Sequence, residues 1–327
     1  MNTKQTLNWG IIGCGDVTEV KSGPAFNNIP NSRLYAIMRR NAEKAADYAM
    51  RHGVPVWYSS AHDLINDPEV NAIYIATPPS THELYTIEAL KAGKPVYVEK
   101  PMALSAQSCK RMAATAEEYG IKLTVAHYRR AMPYFSKVKE LITEIGDLRF
   151  VSIRFYQPAF STVVASSEEN WRVDPEISGG GLFHDLAPHH IDLLNWFFGS
   201  PTSVNGFSAN QSQCSKADNI VSALLTYGTL PVTGTWCFDA PMQEDLCEIV
   251  GSRGSIRFAF HGNKITLNKD GKVTDFPFIH SKHVQEPMIA AVVGYFTNEI
   301  DTNPCAAEEG IKTMQIIDEL TGNKFTF

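Results

Sequence analysis

The chain has 327 residues, of which 44% are hydrophobic and 20% charged, a composition typical of a globular protein with two domains. Its formal net charge is −6 and its basic residues form no cluster, which argues against a nucleic-acid partner. The six cysteines form no CxxC pair, the start has no apolar leader, and no run reaches about 18 apolar residues. We therefore expect a reduced, cytoplasmic protein that does not enter the membrane.

Short apolar runs alternate with helix-like segments over the first 126 residues. Strands are predicted at 7–12, 34–38, 72–76, 95–98 and 121–125, and helices at 42–52, 81–92 and 105–119. This alternation is typical of an α/β Rossmann fold, a doubly wound parallel sheet with helices on both faces. We expect a dinucleotide-binding domain over residues 1–126.

Beyond residue 126 the pattern changes to strands with little helix between them. A helix is predicted at 134–145, strands at 148–157, 202–210, 219–227, 231–238, 245–250, 255–260 and 264–268, and a final helix at 305–321. These strands predict an α+β domain over residues 127–327 with a large open, mostly antiparallel sheet, whose final helix can pack back on the first domain. Because such a sheet often covers its second face with a partner chain, we expect a homodimer or homotetramer.

A glycine turn follows the first strand directly. Gly13, Cys14, Gly15, Asp16, Val17 and Thr18 approximate the G-x-G-x-x-[small] motif of dinucleotide-binding proteins. Gly13 permits the tight turn, and Gly15 lets backbone N–H groups approach a pyrophosphate at the start of the next helix. Thr18 is bulkier than the usual glycine or alanine, so we expect looser packing of that helix.

The residues that follow the second and third strands indicate which cofactor binds. Arg39 and Arg40 stand where an NAD enzyme usually carries Asp or Glu, and a guanidinium pairs bidentately with a 2′-phosphate. NADP(H) is therefore favoured over NAD(H); two solvated arginines are the other interpretation. Thr77 and Pro78 lie at the carboxyl edge where such sheets bind ligands, and His82 opens the next helix. We expect all three to line the cofactor, although a lone histidine is often a cap or a surface residue.

Several motifs, met in order along the chain, resemble those of one family. They are GKPVYVEKP at 93–101, Trp171-Arg172, GGGLFHDLAPHHIDLLNWFFG at 179–199 and EIVGSRGSI at 248–256. They resemble the glucose–fructose oxidoreductase / inositol dehydrogenase / rhizopine-catabolism (Gfo/Idh/MocA) family, and the resemblance spans nearly the whole chain. It implies a Rossmann domain followed by an open mixed sheet. It also implies an NAD(P)-dependent oxidoreductase acting on CH–OH groups of sugars, cyclitols and related polyols.

The resemblance also implies roles for individual residues. Lys100 would donate to a substrate oxygen beside the cofactor, oriented by Glu99. The family's D-x-x-x-H motif falls on Asp185 and His189, which share a helix face at this spacing. His189 is then the general acid/base, and Asp185 binds a neighbouring hydroxyl. Because Pro188 is best tolerated in the first turn of a helix, Asp185 is alternatively a helix cap.

Four further residues are implied to surround the ligands. Trp171 and Arg172 would reach the nicotinamide end of the cofactor or the substrate, with a core tryptophan as the alternative. Tyr128 and Arg130 follow the last Rossmann strand and would shape the substrate pocket, with a surface role as the alternative. The loop at 156–178 is expected to complete that pocket.

The same residues are compatible with other functions. His184 and His190 flank His189, but no matching carboxylate and cysteine pattern supports a metal, and hydride transfer needs none. The rival functions are an NAD-dependent glycosidase on the same fold, a non-catalytic NADP-sensing regulator, and a reductase of a non-sugar carbonyl such as a diketone, dihydrodiol or tetrapyrrole. Arg39 argues against the first, and the presence of both Lys100 and His189 argues against the second.

Overall fold

A computed structural model describes residues 6–159, 171–213 and 215–322. The described residues divide into two compact units. The first unit comprises 6–131 and 281–314, and the second comprises 132–159, 171–213, 215–280 and 315–322.

The first unit is the predicted doubly wound parallel sheet. Its strands are β1 (Leu7–Ile12), β2 (Ser32–Met38), β3 (Val56–Tyr58), β4 (Ala72–Ile75), β5 (Val96–Val98) and β6 (Leu123–Val125). They lie in the order β3-β2-β1-β4-β5-β6, and every pair is parallel. The helices between them are α1 (Ala42–His52), α2 (Ala61–Asn66), α3 (His82–Lys91) and α4 (Ala106–Tyr119). The Rossmann prediction is confirmed; β3 and α2, which are only three and six residues long, were not predicted.

Burial and capping explain why most of these strands and helices could be predicted from the sequence. Strands β4, β5 and β6 are buried along their whole length, so they read as continuous apolar runs. The Asn41 side chain accepts from the Lys44 N–H at the start of α1, and Ser105 caps α4 in the same way. Gly53 and Gly120 end the two helices in the left-handed conformation.

The segment after the glycine turn departs from a regular helix. Residues Val17–Lys21 form a π-helical turn and Gly23–Asn27 a 3₁₀ turn. Thr18 is fully buried, its hydroxyl donates to the Gly15 carbonyl at 2.8 Å, and the Tyr48 hydroxyl donates to the Thr18 carbonyl at 2.9 Å. Close partners therefore hold the hydroxyl and the carbonyl of Thr18, within a π-helical turn that replaces the expected regular helix.

The second unit carries the predicted α+β arrangement. It begins with α5 (Pro133–Ile142), β7 (Leu148–Tyr156), α6 (Pro175–Ser178) and α7 (Leu182–Phe198). The later strands are β8 (Ser203–Ala209), β9 (Ile220–Tyr227), β10 (Leu230–Cys237), β11 (Glu244–Gly251), β12 (Gly254–Phe258), β13 (Lys264–Lys269) and β14 (Lys272–Pro277). Together with β7 they lie in the order β14-β13-β12-β11-β7-β10-β9-β8. Among the strand pairs that the structure describes, β7–β10 is parallel and the others are antiparallel.

The two faces of this sheet differ in burial. Along β7, Val151, Ile153 and Phe155 are buried while Phe150 and Arg154 are exposed. Helix α7 packs on the buried face, where the ring centroid of Phe183 lies 5.3 Å from that of Trp236 and the ring of His190 lies 4.8 Å from Phe155. The alternation of buried and exposed residues is that of a sheet covered on one side within its own unit.

Two helices follow the second sheet, and they correct the predicted domain boundary. Helix α8 (Glu286–Phe296) and the first half of α9 (Ala307–Gly322) belong to the first unit, which also extends to Ala131. The physical reason is hydrogen bonding at the sheet edge: the Val125 N–H donates to the Cys305 carbonyl at 2.9 Å, and Thr124 Oγ1 donates to Asn303 Oδ1 at 2.9 Å. In the part of the chain that the structure describes, no helix has both the length and the apolarity to cross a membrane.

Candidate active site

The expected cofactor residues follow four neighbouring strands of the first sheet. Arg39 follows β2, Gly13 follows β1, Thr77 comes after β4 and Lys100 comes after β5. These strands are adjacent in the order β2-β1-β4-β5 and run parallel, so the four residues line one edge of the sheet. The carboxyl edge of a doubly wound sheet is where such folds bind nucleotides.

The glycine turn has the geometry that close approach of a ligand requires. Gly13 adopts a φ of +95°, and a Cβ at this position would lie 2.7 Å from the Thr77 main-chain N. At Gly15 a Cβ would meet nothing within 4 Å, so the backbone of that residue faces open space. The first glycine is thus required by the fold, whereas the second leaves room beside the turn.

The other residues of the motif contribute differently. Cys14 is buried, and its Sγ lies 3.4 Å from the Met38 carbonyl oxygen. Burial raises the pKa of Cys14 to about 11, partly offset by the positive charge of Arg39, so the thiol stays protonated. Because its side chain is buried, Cys14 can face a ligand only through its main chain. Asp16 is exposed and Val17 is half-buried.

Arg39 is fixed at the glycine turn. Its Nη1 donates to the Cys14 carbonyl at 3.2 Å, and its main-chain N–H donates to the Tyr58 carbonyl at 3.1 Å. Arg39 is half-buried, while Arg40 is exposed. A half-buried guanidinium beside an open glycine turn fits a phosphorylated dinucleotide.

His82 has a different position from the one expected. It is fully buried, with Nε2 2.7 Å from the Thr77 carbonyl oxygen and Nδ1 2.9 Å from that of Pro101. Burial lowers the pKa of His82, an effect that its hydrogen bonds with these backbone carbonyls oppose. The expectation that its side chain lines the cofactor is corrected: it joins the turn at Thr77 and Pro78 to the turn after Lys100.

Glu99 and Lys100 also differ in exposure. Glu99 is buried, and its Oε2 accepts the Lys100 main-chain N–H at 3.1 Å. Tyr74 and Gln285 donate to its Oε1 at 2.6 Å each. Lys100 is half-buried and precedes a cis peptide bond to Pro101. Glu99 thus holds the main chain at Lys100, and Gln285 is a member of this group that the sequence did not reveal.

In the second unit Asp185 pairs with Arg172. The distance from Arg172 Nε to Asp185 Oδ2 is 3.2 Å, and the two side chains are 7% and 15% exposed. The Arg172 guanidinium lies 4.4 Å from the ring centroid of Trp171. Three of the expected ligand-binding residues therefore form one group within this unit.

Helix α7 settles the alternative of a capping role for Asp185. The N-cap is Gly181, the helix begins at Leu182, and Asp185 is its fourth residue. Pro188 lies in the second turn, inside the helix, so the inference drawn from a first-turn proline is wrong. The Asp185 side chain pairs with Arg172 instead of capping the helix.

The three histidines of α7 have separate surroundings. His189 is buried one turn after Asp185 on the same helix. His190 accepts a hydrogen bond from Trp236 Nε1 at 2.8 Å and stacks on Phe260 with a centroid distance of 3.8 Å. The ring of His184 covers Gly180, where a Cβ would lie 2.1 Å from its Cε1. The side chains of His184 and His190 thus contribute to packing within the second unit.

Tyr128 and Arg130 follow β6 in a 3₁₀ turn, Tyr128–Ala131. Tyr128 is buried, and Arg130 Nη2 lies 2.8 Å from Glu309 Oε2, at the start of α9. Of the loop expected at 156–178, residues 160–170 lie outside the described residues, while Trp171–Val173 forms a 3₁₀ turn and Pro175–Ser178 is α6.

Comparison with known proteins supports the same family over most of the chain. Residues 7–127 match the model of an oxidoreductase family with an NAD-binding Rossmann fold, and residues 135–257 match the GFO/IDH/MocA C-terminal domain. The chain is 44% identical over 318 residues to Oxidoreductase P35 of Formosa agariphila, covering 97% of this chain and 98% of that protein.

More distant proteins extend the likeness. A scyllo-inositol 2-dehydrogenase (NADP(+)) of Bacillus subtilis is 27% identical, over 96% of this chain and 92% of its own length. The solved structure of a levoglucosan dehydrogenase in complex with NADH and levoglucosan superposes with a TM-score of 0.84 at 21% identity, covering 97% of this chain and 96% of its own. The chain therefore belongs to the Gfo/Idh/MocA family of NAD(P)-binding oxidoreductases.

Proposed function

We propose that this oxidoreductase prefers NADP(H) and acts on a CH–OH or carbonyl carbon of a sugar, cyclitol or related polyol. The observation that carries the proposal is the edge formed by β2, β1, β4 and β5, whose carboxyl ends bear Arg39, Gly13, Thr77 and Lys100 in that spatial order. When bound, the dinucleotide supplies or accepts the hydride. Gly13 allows the tight turn, Gly15 would leave the pyrophosphate room beside it, and Arg39 would pair with the 2′-phosphate.

The chain's own residues divide the remaining chemistry. Lys100 donates a hydrogen bond to the reacting oxygen and stabilises the charge that develops there. His189 exchanges the proton of that hydroxyl, because the pKa of an imidazole suits proton transfer near neutrality. Asp185 binds a neighbouring hydroxyl while paired with Arg172. Trp171, Tyr128 and Arg130 contribute to substrate recognition.

The substrate class is tested with a panel of sugars, inositols and ketones, each offered with NADP+ or NADPH and followed by absorbance of the reduced cofactor. We expect turnover of at least one polyol and a lower KM for NADP+ than for NAD+. Turnover of non-sugar ketones alone would assign the carbonyl reductase function. Release of sugar from a glycoside, without net change of the cofactor, would assign the glycosidase function.

The catalytic assignments are tested by Lys100→Ala and His189→Ala. Each variant should lower kcat by roughly 100-fold or more while the Kd for NADPH stays close to that of the wild type. His62→Ala is the matched control, because this histidine is exposed on α2. Unchanged kcat in both active-site variants would refute the assignment.

The cofactor preference is tested by Arg39→Ala. Losing a charged hydrogen bond to the 2′-phosphate should raise the Kd for NADPH by roughly 10- to 100-fold and leave the Kd for NADH nearly unchanged. Arg149→Ala, an exposed arginine on β7, is the control. Equal losses for both nucleotides would show that Arg39 does not read the 2′-phosphate.

We also propose that the chain assembles as a homodimer or homotetramer through the exposed face of the eight-stranded sheet. Leu224 is 45% exposed and Phe150 43% exposed on this face. Eight strands of five to nine residues span roughly 35 Å by 20 Å, which is close to the roughly 800 Å² per partner of a stable interface.

A further inference from the structure

A buried hydrogen-bond network lies behind the main chain of Lys100. The Glu99 carboxylate accepts from three donors, the hydroxyl of Tyr74, the side-chain amide of Gln285 and the main-chain N–H of Lys100. Glu99 is 6% exposed and Gln285 only 1%. A carboxylate at such depth is stable only while donors surround it, so each of these groups limits where Glu99 can lie.

Gln285 brings two distant parts of the first unit together at this network. It precedes α8, and its side-chain oxygen lies 3.3 Å from the Tyr97 hydroxyl that donates to it. Its main-chain N–H donates to the Lys21 carbonyl at 3.2 Å, at the end of the π-helical turn that follows the glycine turn. One buried residue therefore contacts both the segment after the glycine turn and the carboxylate that holds Lys100.

Removing the side-chain amide of Gln285 has a specific consequence. Glu99 Oε1 would keep Tyr74 as a donor, but the side of the carboxylate that Gln285 now faces would lose its hydrogen-bond donor. The carboxylate would shift or admit water, and the Lys100 N–H bonded to its other oxygen would follow. A displacement of about 1 Å in a reacting group can cost roughly 100-fold in rate.

We infer that Gln285 is a positioning residue for the reaction, which sets the place of Lys100 through Glu99. This inference rests on the proposed function, because it assigns Gln285 an effect on turnover and not only on folding. Gln285 acts without touching either ligand, so its loss reduces kcat and leaves the affinity for NADPH intact.

The test uses Gln285→Met, which removes the amide and keeps the side-chain length. Thr313→Val is the matched control, because Thr313 is a fully buried hydroxyl of the same unit outside this network. Three quantities are measured on the full chain: kcat, the Kd for NADPH, and the hydrogen-exchange rate of the Lys100 amide in the absence of nucleotide. We expect Gln285→Met to lower kcat roughly 10- to 100-fold, to change the Kd for NADPH less than about twofold, and to accelerate the hydrogen exchange of the Lys100 amide. Thr313→Val should leave all three unchanged.

Exchanging the side chains of Glu99 and Gln285 tests whether the double variant recovers kcat. Glu99→Gln and Gln285→Glu should each impair turnover alone, whereas the double variant restores an amide–carboxylate pair and should recover at least about tenfold of the lost kcat. The inference would be overturned if Gln285→Met exchanged the Lys100 amide faster with no change in kcat, or if the exchange rate of that amide stayed the same. In either case an active wild type would leave the proposed function standing. A wild type that turns over no substrate of the panel would overturn both.

Discussion

The thiol of Cys14 is a reactive group that the fold keeps inactive. It lies in the glycine turn, yet burial raises its pKa to about 11. At pH 8 about one such thiol in a thousand is ionised, and the thiolate is the reactive form. We therefore expect iodoacetamide to leave Cys14 unmodified in the folded protein at pH 8, as measured by mass spectrometry of the tryptic peptide.

The denatured chain provides the control for Cys14, because its thiol then has an ordinary pKa and should be alkylated completely under the same conditions. Alkylation of the native chain should also increase as the pH approaches 11. Rapid modification of folded Cys14 at pH 8 would contradict the burial that the structure gives this side chain.

The place of a single residue could be predicted where a sequence motif specifies it. It could not be predicted where it depends on a contact with a residue that is distant in the chain. The glycine turn and Arg39 were proposed because each follows a predicted strand, and Lys100 was proposed because of the family motif at 93–101. His82 was misplaced because the sequence does not show the carbonyls of Thr77 and Pro101 that enclose it. Gln285 gave no signal, since its partner Glu99 lies 186 residues away in the chain.

At the scale of elements, the glycine turn separates a structural glycine from a functional one. Gly13→Ala would place a Cβ 2.7 Å from the Thr77 main-chain N at a φ of +95°, so we expect it to destabilise the fold by about 1–3 kcal/mol. Gly15→Ala meets nothing within 4 Å and should unfold like the wild type, yet weaken NADPH binding.

Thermal unfolding and nucleotide titration measure the two glycine effects separately. The pair of variants is its own control, because both add one methyl group to the same turn. Equal losses of stability in the two variants would contradict the difference in space that the structure shows, and tight NADPH binding by Gly15→Ala would remove Gly15 from the cofactor site.

The π-helical turn and α1 are joined by an ion cluster that depends on pH. Glu19 accepts from Arg51 at 2.8 and 2.9 Å and lies 2.7 Å from His52 Nε2. Its hydrogen bonds with Arg51, opposed by partial burial and assisted by His52, lower the pKa of Glu19 to about 2. A folded pKa below the unfolded value of 4.5 means that the cluster stabilises the fold above pH 4.5 and loses this effect as the pH falls towards 2.

Glu19→Gln should therefore cost about 1 kcal/mol at pH 7, a modest amount because the pair is partly solvated. The difference from the wild type should shrink between pH 4.5 and 2, as measured by thermal midpoints at several pH values. Glu118→Gln, an exposed carboxylate on α4, should show no such trend. A loss that stays constant down to the lowest pH would exclude the ionised Glu19 as its source.

Elements were predictable when their burial repeats with a clear period. Strand β9 alternates between buried and less buried residues, and its predicted bounds differ by one residue from the observed ones. Strand β14 has no buried residue, so its alternation carries no apolar signal. Helix α8 buries residues at helical spacing, but it was missed because its sequence is apolar on nearly all sides and so shows no contrast with the 3.6-residue period.

At the scale of the whole molecule, the two fold classes were predictable but the path of the chain was not. The sequence indicated two successive domains with a final helix that can pack back on the first, whereas the structure assigns all of residues 281–314 to the first unit. The hydrogen bonds that hold this return, such as that of Val125 with Cys305, join residues about half the chain apart. Local patterns of hydrophobicity contain no information about such a pairing.

The exposed face of the second sheet gives the last prediction. Leu224 on β9 and Phe150 on β7 are separated by strand β10 in the sheet, and each is more than 40% exposed. If this face joins two copies, a carboxylate at either position would be desolvated without a partner, at a cost that an interface of this size cannot offset. Leu224→Glu combined with Phe150→Glu should therefore sediment as a monomer, whereas the wild type sediments as a dimer or tetramer. Met50→Glu, which charges an equally apolar residue 77% exposed on α1, should leave assembly unchanged. A monomeric wild type at micromolar concentration, or a double variant that still assembles, would show that this face does not join the copies.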